Sequence, residues 1–283
     1  MFYFIVGQYH LILTKKIIIQ IKLLKMNLWY TSDNKLLSVG GLNVIFLCFS
    51  IKDRETIAEK ILNHLLSFGF EVWYDRKDIF LGDNRFDVNL KNGAGGSNIK
   101  YAVIIISESF QKGDYCNREL NILWKRKLKN EVSIFPIFYN MSINQIPKNF
   151  QFLLEFVCKF ISNSDESIFT AYHIVSKITD DLLKKTYDKT FQYYANNCQD
   201  NYITEIIILY LSMDRSNYNS KMTILYLLYT YIKSTKDFSQ IPSYYYFGFE
   251  KLYSFTKLNI NTDLRELQIL ENLSLLLLNS FYK

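Results

Sequence analysis

The feature that most constrains the fold of this chain is a series of short apolar runs that alternate with segments of helical length. The runs are "NVIFLCFS" at 43–50, "FEVWYD" at 70–75, "YAVIIIS" at 101–107, "VSIFPIFY" at 132–139 and "EFVCKFI" at 155–161. Their lengths and their β-branched and aromatic residues favour strands. Strands that alternate with helices predict an α/β fold with a parallel sheet and helices on both faces.

The segments between these runs have helical character. In "DRETIAEKILNHLLSFG" the apolar residues recur every three or four positions, and Gly69 is placed to end the helix. A further helix is predicted from about Tyr115 to Lys129, with Asp114 as its N-cap. The segment "SIFTAYHIVSKITDDLLKKTYDKT" at 167–190 predicts a helix that closes the α/β domain.

The composition of the chain changes after about residue 190. Three apolar segments of helical length follow without a strand between them: "ITEIIILYLSM", "MTILYLLYTYIKS" and "LRELQILENLSLLLLNSFY". We therefore predict an α/β domain over residues 42–188 and a smaller all-α domain of unknown role over 189–283. Residues 1–41 are expected to form an N-terminal extension that is either disordered or the product of a mis-assigned start, with Met26 as the alternative first residue.

Composition and charge exclude several classes of function. The formal net charge is +6, but the basic residues are scattered, so no specific nucleic-acid site is expected. The four cysteines and three histidines lack metal-ligand spacing, which predicts no metal site and favours a reducing cytoplasm. The apolar runs of the first 25 residues are interrupted by Lys15 and Lys16, so no membrane span is predicted.

Polar and aromatic residues follow two of the predicted strands. Ligands of parallel α/β sheets bind beyond the carboxyl ends of the strands. Phe49 and Ser50 end the first run, and Ser107 ends the third, a few residues before the motif "DYCNREL" at 114–120. This edge of the sheet is therefore the predicted functional edge, and Glu119 is its candidate carboxylate.

Four blocks occur in an order typical of one family. They are "FLCFSIKDRE", "GFEVWYDRKDIFLGD", "YAVIIIS" and "DYCNREL". Together they resemble a TIR (Toll/interleukin-1 receptor) domain of bacterial type over about residues 42–185. The chain departs from the usual pattern at Cys48, where a small hydroxyl residue is common, and at Tyr115, where a Trp is common.

The resemblance implies a flavodoxin-like parallel sheet and one of two functions. TIR domains either cleave NAD at the nicotinamide–ribose bond, in bacterial defence or signalling, or act as adaptors that bind other TIR domains. In the enzymes the catalytic carboxylate corresponds to Glu119, NAD is a substrate, and no cofactor is required. The loop of Ile79, Phe80, Leu81 and Gly82 corresponds to one that joins neighbouring TIR domains in assemblies.

The residues themselves are suited to that chemistry. Nicotinamide leaves NAD as a neutral molecule, so one carboxylate suffices where a glycosidase needs two. Glu119 would hold the ribose hydroxyls and stabilise positive charge on the ribose ring. Tyr115 lies four positions earlier on the same helical face and is placed to stack on the substrate. Phe49, Ser50 and Asp83 are the other predicted substrate-binding residues.

Other interpretations of these residues remain open at this point. A glutamate in the first turns of a helix is often only a favourable partner of the helix dipole. A non-enzymatic adaptor, or an effector secreted into a host, would carry the same blocks. Cys116 has no nearby histidine in the sequence and is not expected to be a nucleophile. "NGAGGSN" at 92–98 precedes a strand, so we expect a flexible connector there and no phosphate site.

Overall fold

The computed structural model describes residues 44–84, 86–186, 189–256 and 264–282. The predicted extension over residues 1–41 lies outside the described residues. The strands are β1 (Val44–Cys48), β2 (Val72–Trp73), β3 (Ile99–Ile106), β4 (Ser133–Tyr139) and β5 (Lys159–Ile161). They form one parallel sheet in the order β2-β1-β3-β4-β5. This is the flavodoxin-like order, so the predicted fold class is confirmed.

The described helices alternate with the strands and then follow one another. They are α1 (Glu59–Ser67), α2 (Asp75–Asp78), α3 (Glu108–Gln111), α4 (Asp114–Leu128), α5 (Ser167–Lys185), α6 (Phe191–Asn197), α7 (Asn201–Ser212), α8 (Tyr218–Thr235), α9 (Phe247–Thr256) and α10 (Leu264–Phe281). There are two π-helical segments among the described residues. Arg54–Ala58 packs Ile57 and Ala58 in the cluster that contains Ile45, and Asp87–Ala94 packs Ala94 in the cluster that contains the buried residues of α4. Short 3₁₀ turns complete the loops: Ile51–Asp53, Ile143–Gln145, Lys148–Glu155, Ser164–Glu166 and Ser243–Tyr245.

The two faces of the sheet bury separate hydrophobic clusters. Successive residues of a strand point to opposite faces. Ile45 and Leu47 of β1 pack in a cluster with α1, α5 and the C-terminal helices. Phe46 and Cys48 pack in a second cluster with buried residues of α4. Both faces of the central strands are thus covered, which explains the continuous apolar character of "YAVIIIS".

The C-terminal helices form an all-α region that packs directly on the α/β region. The Asn272 side-chain amide of α10 donates a hydrogen bond to Thr179 Oγ1 of α5 over 3.1 Å. Leucines of α10 and apolar residues of α5 belong to one cluster. The residues from Val44 onward belong to a single compact unit, and the boundaries at 42–188 and 189–283 stay a prediction.

The structure refines two local expectations. Helix α4 begins at Asp114, and its N-cap is Gly113, which makes no side-chain cap; Asp114 therefore acts in the first turn, where negative charge suits the helix dipole. The segment "NGAGGSN" begins inside the π-helical segment. A Cβ on Gly93 would lie 2.8 Å from Phe46 Cε2, so this glycine permits close packing and is not part of a loose connector.

The described residues hold neither a membrane-spanning helix nor a metal cluster. None of the helices in this part of the chain is long and apolar enough to cross a bilayer. In the same residues, no group of three His, Cys, Asp or Glu side chains gathers closely enough to hold a metal ion.

Candidate active site

Glu119 lies on α4 beneath the carboxyl end of β1, and only 6% of its surface is exposed. The Cys48 thiol donates a hydrogen bond to Glu119 Oε2 over 3.0 Å. The Asn89 side-chain amide donates to the other oxygen, Oε1. A buried carboxylate is costly unless it is hydrogen-bonded, and here each oxygen has a protein donor.

The two donors come from different elements that the local sequence fixes in place. Cys48 is the last residue of β1 and is fully buried. Asn89 lies in the π-helical segment and is 3% exposed. Arg126 of α4 donates hydrogen bonds of 2.8 Å to the backbone oxygens of Ala94 and Ile99. Helix α4 therefore carries the carboxylate and also anchors the segment that supplies Asn89.

The charge state of Cys48 follows from its surroundings. Burial raises the pKa of the Cys48 thiol well above its ordinary value, and the nearby Glu119 carboxylate raises it further. The thiol is therefore protonated at neutral pH and acts as a hydrogen-bond donor. Cys116 also acts as a donor, since its Sγ lies 3.4 Å from the backbone oxygen of Phe49. Neither cysteine has the environment of an activated nucleophile.

A second carboxylate lies buried at the same edge of the sheet. Ser107, which follows β3, donates a hydrogen bond from its hydroxyl to Asp53 Oδ2. Burial raises the pKa of Asp53, and the hydrogen bond from Ser107 partly opposes that rise. The Ser107 hydroxyl also accepts a hydrogen bond of 3.0 Å from the backbone N–H of Phe110, which caps α3. Ser107 therefore links the ends of β1 and β3.

A cation lies beside two stacked aromatic rings next to this cluster. The Arg54 guanidinium is 5.6 Å from the ring centroids of both Phe49 and Tyr74. Its Nη2 forms an ion pair of 2.5 Å with Asp75. The Tyr74 hydroxyl donates to Glu59 over 2.6 Å, and burial together with this bond raises the pKa of Tyr74 to about 12. Phe49 is thus held as part of a rigid stack.

The predicted substrate-binding residues occupy different environments. Tyr115 lies one turn before Glu119 and is 37% exposed. Ser50 is buried, and its backbone oxygen accepts a hydrogen bond of 2.8 Å from the N–H of Asp53. Asp83 is exposed, and its carboxylate accepts a hydrogen bond of 2.7 Å from the backbone N–H of Phe80. The contact described for Asp83 thus lies inside its own loop. The backbone oxygen of Phe49, in contrast, accepts a hydrogen bond from Cys116 of α4.

The predicted interaction loop presents its largest side chains to solvent. Phe80 is 73% exposed and Leu81 is fully exposed, while Ile79 is half-buried. Gly82 has a φ of +96°, a backbone conformation that favours glycine. The bond from Phe80 to Asp83 and the turn at Gly82 hold two apolar side chains outward, an arrangement typical of contact surfaces.

Sequence reasoning missed Asn89, Asp53 and Arg54 as members of this site. Asn89 carried a detectable signal, because it precedes Leu90 and lies four residues before Gly93, on a helical face that must pack. Asp53 and Arg54 lie in the turn that follows the first apolar run, where charged residues are usually solvated. Their burial depends on residues distant in sequence, such as Ser107 and Asp75.

The fold and this edge define the class of the protein as a parallel α/β domain with a buried glutamate and an aromatic cluster at the carboxyl ends of its strands. Residues 45–157 match the family model described as the TIR domain. This part of the chain is a TIR domain, as the resemblance of the four blocks predicts.

Several curated proteins are similar to the same region. The 2' cyclic ADP-D-ribose synthase BtTIR of Bacteroides thetaiotaomicron is 30% identical over 122 residues, which cover 41% of this chain and 42% of that protein. The 2' cyclic ADP-D-ribose synthase AbTIR of Acinetobacter baumannii is 28% identical and matches 36% of this chain and 37% of its own length. The NAD(+) hydrolase TcpA of a Theionarchaea archaeon is 26% identical and matches 36% of this chain and 30% of its own length. The chain thus spans less than half the length of these relatives.

A solved structure is similar as well. The TIR domain of the Toll-related receptor TRR-2 from Hydra magnipapillata aligns with a TM-score of 0.38 and 19% identity, covering 47% of this chain and 96% of that domain.

Proposed function

We propose that this protein cleaves NAD at the bond between nicotinamide and ribose, with Glu119 as the catalytic residue. The observation that carries the proposal is the buried Glu119 carboxylate, held between Cys48 and Asn89 at the carboxyl edge of the sheet. Relatives of the TIR region that are named NAD(+) hydrolases and 2' cyclic ADP-D-ribose synthases support it.

The reaction needs one carboxylate at a fixed position. The C–N bond between ribose C1′ and nicotinamide breaks, its electron pair goes to the pyridinium nitrogen, and nicotinamide leaves as a neutral molecule. Positive charge then develops on the ribose ring, where the negative charge of Glu119 stabilises it. Attack by water gives ADP-ribose and a proton, and attack by a hydroxyl of the same molecule gives a cyclic ADP-ribose and likewise releases the hydroxyl proton.

The aromatic residues at this edge would position the substrate. Tyr115 is partly exposed one turn before Glu119, and an exposed ring at that position can stack on a base or a ribose. Phe49 is fixed by Arg54 and Tyr74, so little side-chain entropy would be lost when a ligand packs on it. We assign substrate binding to Tyr115, Phe49 and Ser50, and keep Asp83 as a loop residue that could reach the substrate after a rearrangement.

We further propose that self-assembly activates the enzyme. Glu119 is 6% exposed in this single chain, so a substrate needs a change in the elements above it. The exposed loop at Phe80 and Leu81 is followed within a few residues by the segment Asp87–Ala94, which carries Asn89. Contact of this loop with a second TIR domain would therefore shift the position of Asn89, which donates a hydrogen bond to Glu119.

The second candidate function is a non-enzymatic adaptor. It is favoured by the outward Phe80 and Leu81 and by the burial of Glu119, which would then be a structural carboxylate. In both cases other TIR domains are the protein partners. For the enzyme we propose a setting in cytoplasmic defence or signalling, which suits the four free cysteines.

The test is nicotinamide release from NAD by the purified protein over a range of protein concentrations. We expect release at high concentration and a loss of about 10²- to 10³-fold in Glu119→Gln, which keeps the shape but removes the charge. Glu108→Gln is the matched control, because Glu108 is an exposed glutamate at the same edge of the sheet. Equal rates for the native chain and Glu119→Gln would refute the catalytic role. Silence from both, with assembly seen by light scattering, would favour the adaptor.

A further inference from the structure

A cavity of about 720 Å³ lies at the edge of the sheet along β4, and most of its lining belongs to the face opposite to Glu119. Its lining comes from β4, β5, α5 and the first turns of α10. Helix α5 packs in the cluster that includes Ile45 and Leu47, whereas Glu119 contacts Cys48, which points to the other face. The cavity is therefore separate from the candidate active site. Its volume falls within the range of about 300–1,000 Å³ that is usual for small-molecule sites.

The floor of the cavity is a stretch of sheet edge without a neighbouring strand. Strand β5 pairs with β4 only at Ile137, Phe138 and Tyr139. The preceding residues of β4, Ile134–Pro136, line the cavity and have no strand partner on that side within the described residues. Such an edge offers backbone hydrogen-bonding groups to whatever lies against it. Phe135, Ile137 and Ile174 add apolar surface beside it.

The charged groups on the wall favour an anion. The lining carries three cations, Lys159, Lys177 and Arg265, and two carboxylates, Asp180 and Glu271. Lys177 pairs with Asp181, and Asp180 pairs with Lys184 over 2.7 Å, so Lys159 and Arg265 outweigh the single charge of Glu271. Lys159 and Arg265 contribute cations from opposite sides, the sheet and α10. Lys159 is half-buried and takes part in no ion pair found among the described residues.

We propose that this cavity binds a small organic anion with an aromatic body, the chemical class to which nucleoside monophosphates belong. The aromatic body lies on Phe135, Ile137 and Ile174, and the anionic group meets Lys159 and Arg265. Because β5 and α10 both contribute, the ligand joins the TIR domain to the helical region. The proposal does not depend on NAD cleavage, since none of these residues contacts the Glu119 cluster.

The test is isothermal titration calorimetry of the full chain with three matched probes: AMP, adenosine and inorganic phosphate. We expect AMP to bind at least about tenfold more tightly than either part alone, as a charge-assisted contact adds to apolar burial. Lys159→Ala and Arg265→Ala should each weaken AMP binding by about tenfold. Lys112→Ala, which removes an exposed lysine after α3 at the carboxyl edge of the sheet and outside the cavity lining, should leave it unchanged. Circular dichroism confirms that each variant is folded.

Hydrogen exchange locates the bound probe. AMP should protect backbone amides of α5 and of the first turns of α10, and Lys159→Ala should reduce that protection at the same AMP concentration. The proposal is overturned if AMP does not bind, if adenosine binds as tightly, or if Lys159→Ala and Arg265→Ala bind AMP as the native chain does. Protection confined to the region of Tyr115 and Glu119 would overturn it too. Glu119→Gln should keep the cavity binding even if it loses NAD cleavage, so the two proposals fail separately.

Discussion

The amide of Asn89 donates a hydrogen bond to the carboxylate of Glu119, although the two residues are 30 positions apart in the chain. The contact joins the segment after the exposed loop to the helix that carries the candidate catalytic group. The other carboxylate oxygen receives the Cys48 thiol from the end of β1. The position of Glu119 therefore depends on three elements of the TIR domain at once.

This arrangement predicts that Asn89 positions Glu119. Asn89→Ala should lower kcat for NAD cleavage by roughly 10- to 100-fold while KM changes little, because a misplaced carboxylate loses transition-state stabilisation. Asn89→Asp, which replaces the donor with a second carboxylate, should be at least as damaging. Asn92→Ala is the matched control, since Asn92 is exposed on the same segment. A raised KM with unchanged kcat in Asn89→Ala would contradict the positioning role.

The thiol on the other oxygen predicts a graded series at Cys48. Cys48→Ser keeps a donor for Glu119 Oε2 and should retain activity within about threefold. Cys48→Ala removes a hydrogen bond from the buried carboxylate, so it should lower activity and also lower the free energy of unfolding by about 1–3 kcal/mol. Nicotinamide release and thermal unfolding measure the two effects. If the Ala and Ser variants behave alike, the hydrogen bond from Cys48 has no role.

The sequence predicted the strands, their order of appearance and Glu119, but not the partners of Glu119. Apolar runs such as "YAVIIIS" report burial directly, because a strand covered on both faces has no polar side. The pairing of Asn89 and Cys48 with Glu119 has no such signal, since it joins residues that are 30 and 71 positions apart in the chain. Strand length was also overestimated at "FEVWYD", where only Val72–Trp73 pairs with β1. After Trp73 the chain leaves the sheet and begins α2 at Asp75, whose carboxylate forms an ion pair with Arg54.

The loop that holds Phe80 and Leu81 outward predicts an effect on assembly. Leu81→Ser should raise the protein concentration needed for assembly by about tenfold or more and lower NAD cleavage with it, because truncating a central apolar contact weakens an interface. Light scattering and nicotinamide release on the same samples measure both. Leu128→Ser is the control, as Leu128 is a 67% exposed leucine at the end of α4. Equal loss in the control would show that the loop is not special.

The buried Asp53 predicts a pH-dependent stability difference. Burial raises the pKa of Asp53 above its usual 3.8, so the folded protein favours the protonated form. Its contribution to stability is present in full below pH 3.8 and is lost as the pH rises through the higher folded pKa. Asp53→Asn, which stays neutral, should therefore gain stability relative to the native chain as the pH rises above 3.8. Urea unfolding at several pH values measures it, and a constant difference across the range would contradict the prediction.

The shared core of α5 and α10 predicts that the TIR domain and the helical region unfold together. Leu277 of α10 is fully buried in the cluster that contains Ile174 and Val175 of α5. Leu277→Ala should therefore destabilise the protein by about 2–5 kcal/mol. In a chain that also carries Trp29→Phe, the remaining tryptophans, Trp73 and Trp124, report only on the TIR domain. We expect the fluorescence transition of these tryptophans in urea to shift by the same amount as the helical signal in circular dichroism. Leu211→Ala, at a 39% exposed position on α7, is the control and should shift the fluorescence and circular dichroism transitions far less. If Leu277→Ala leaves the tryptophan transition unchanged, the two regions fold independently.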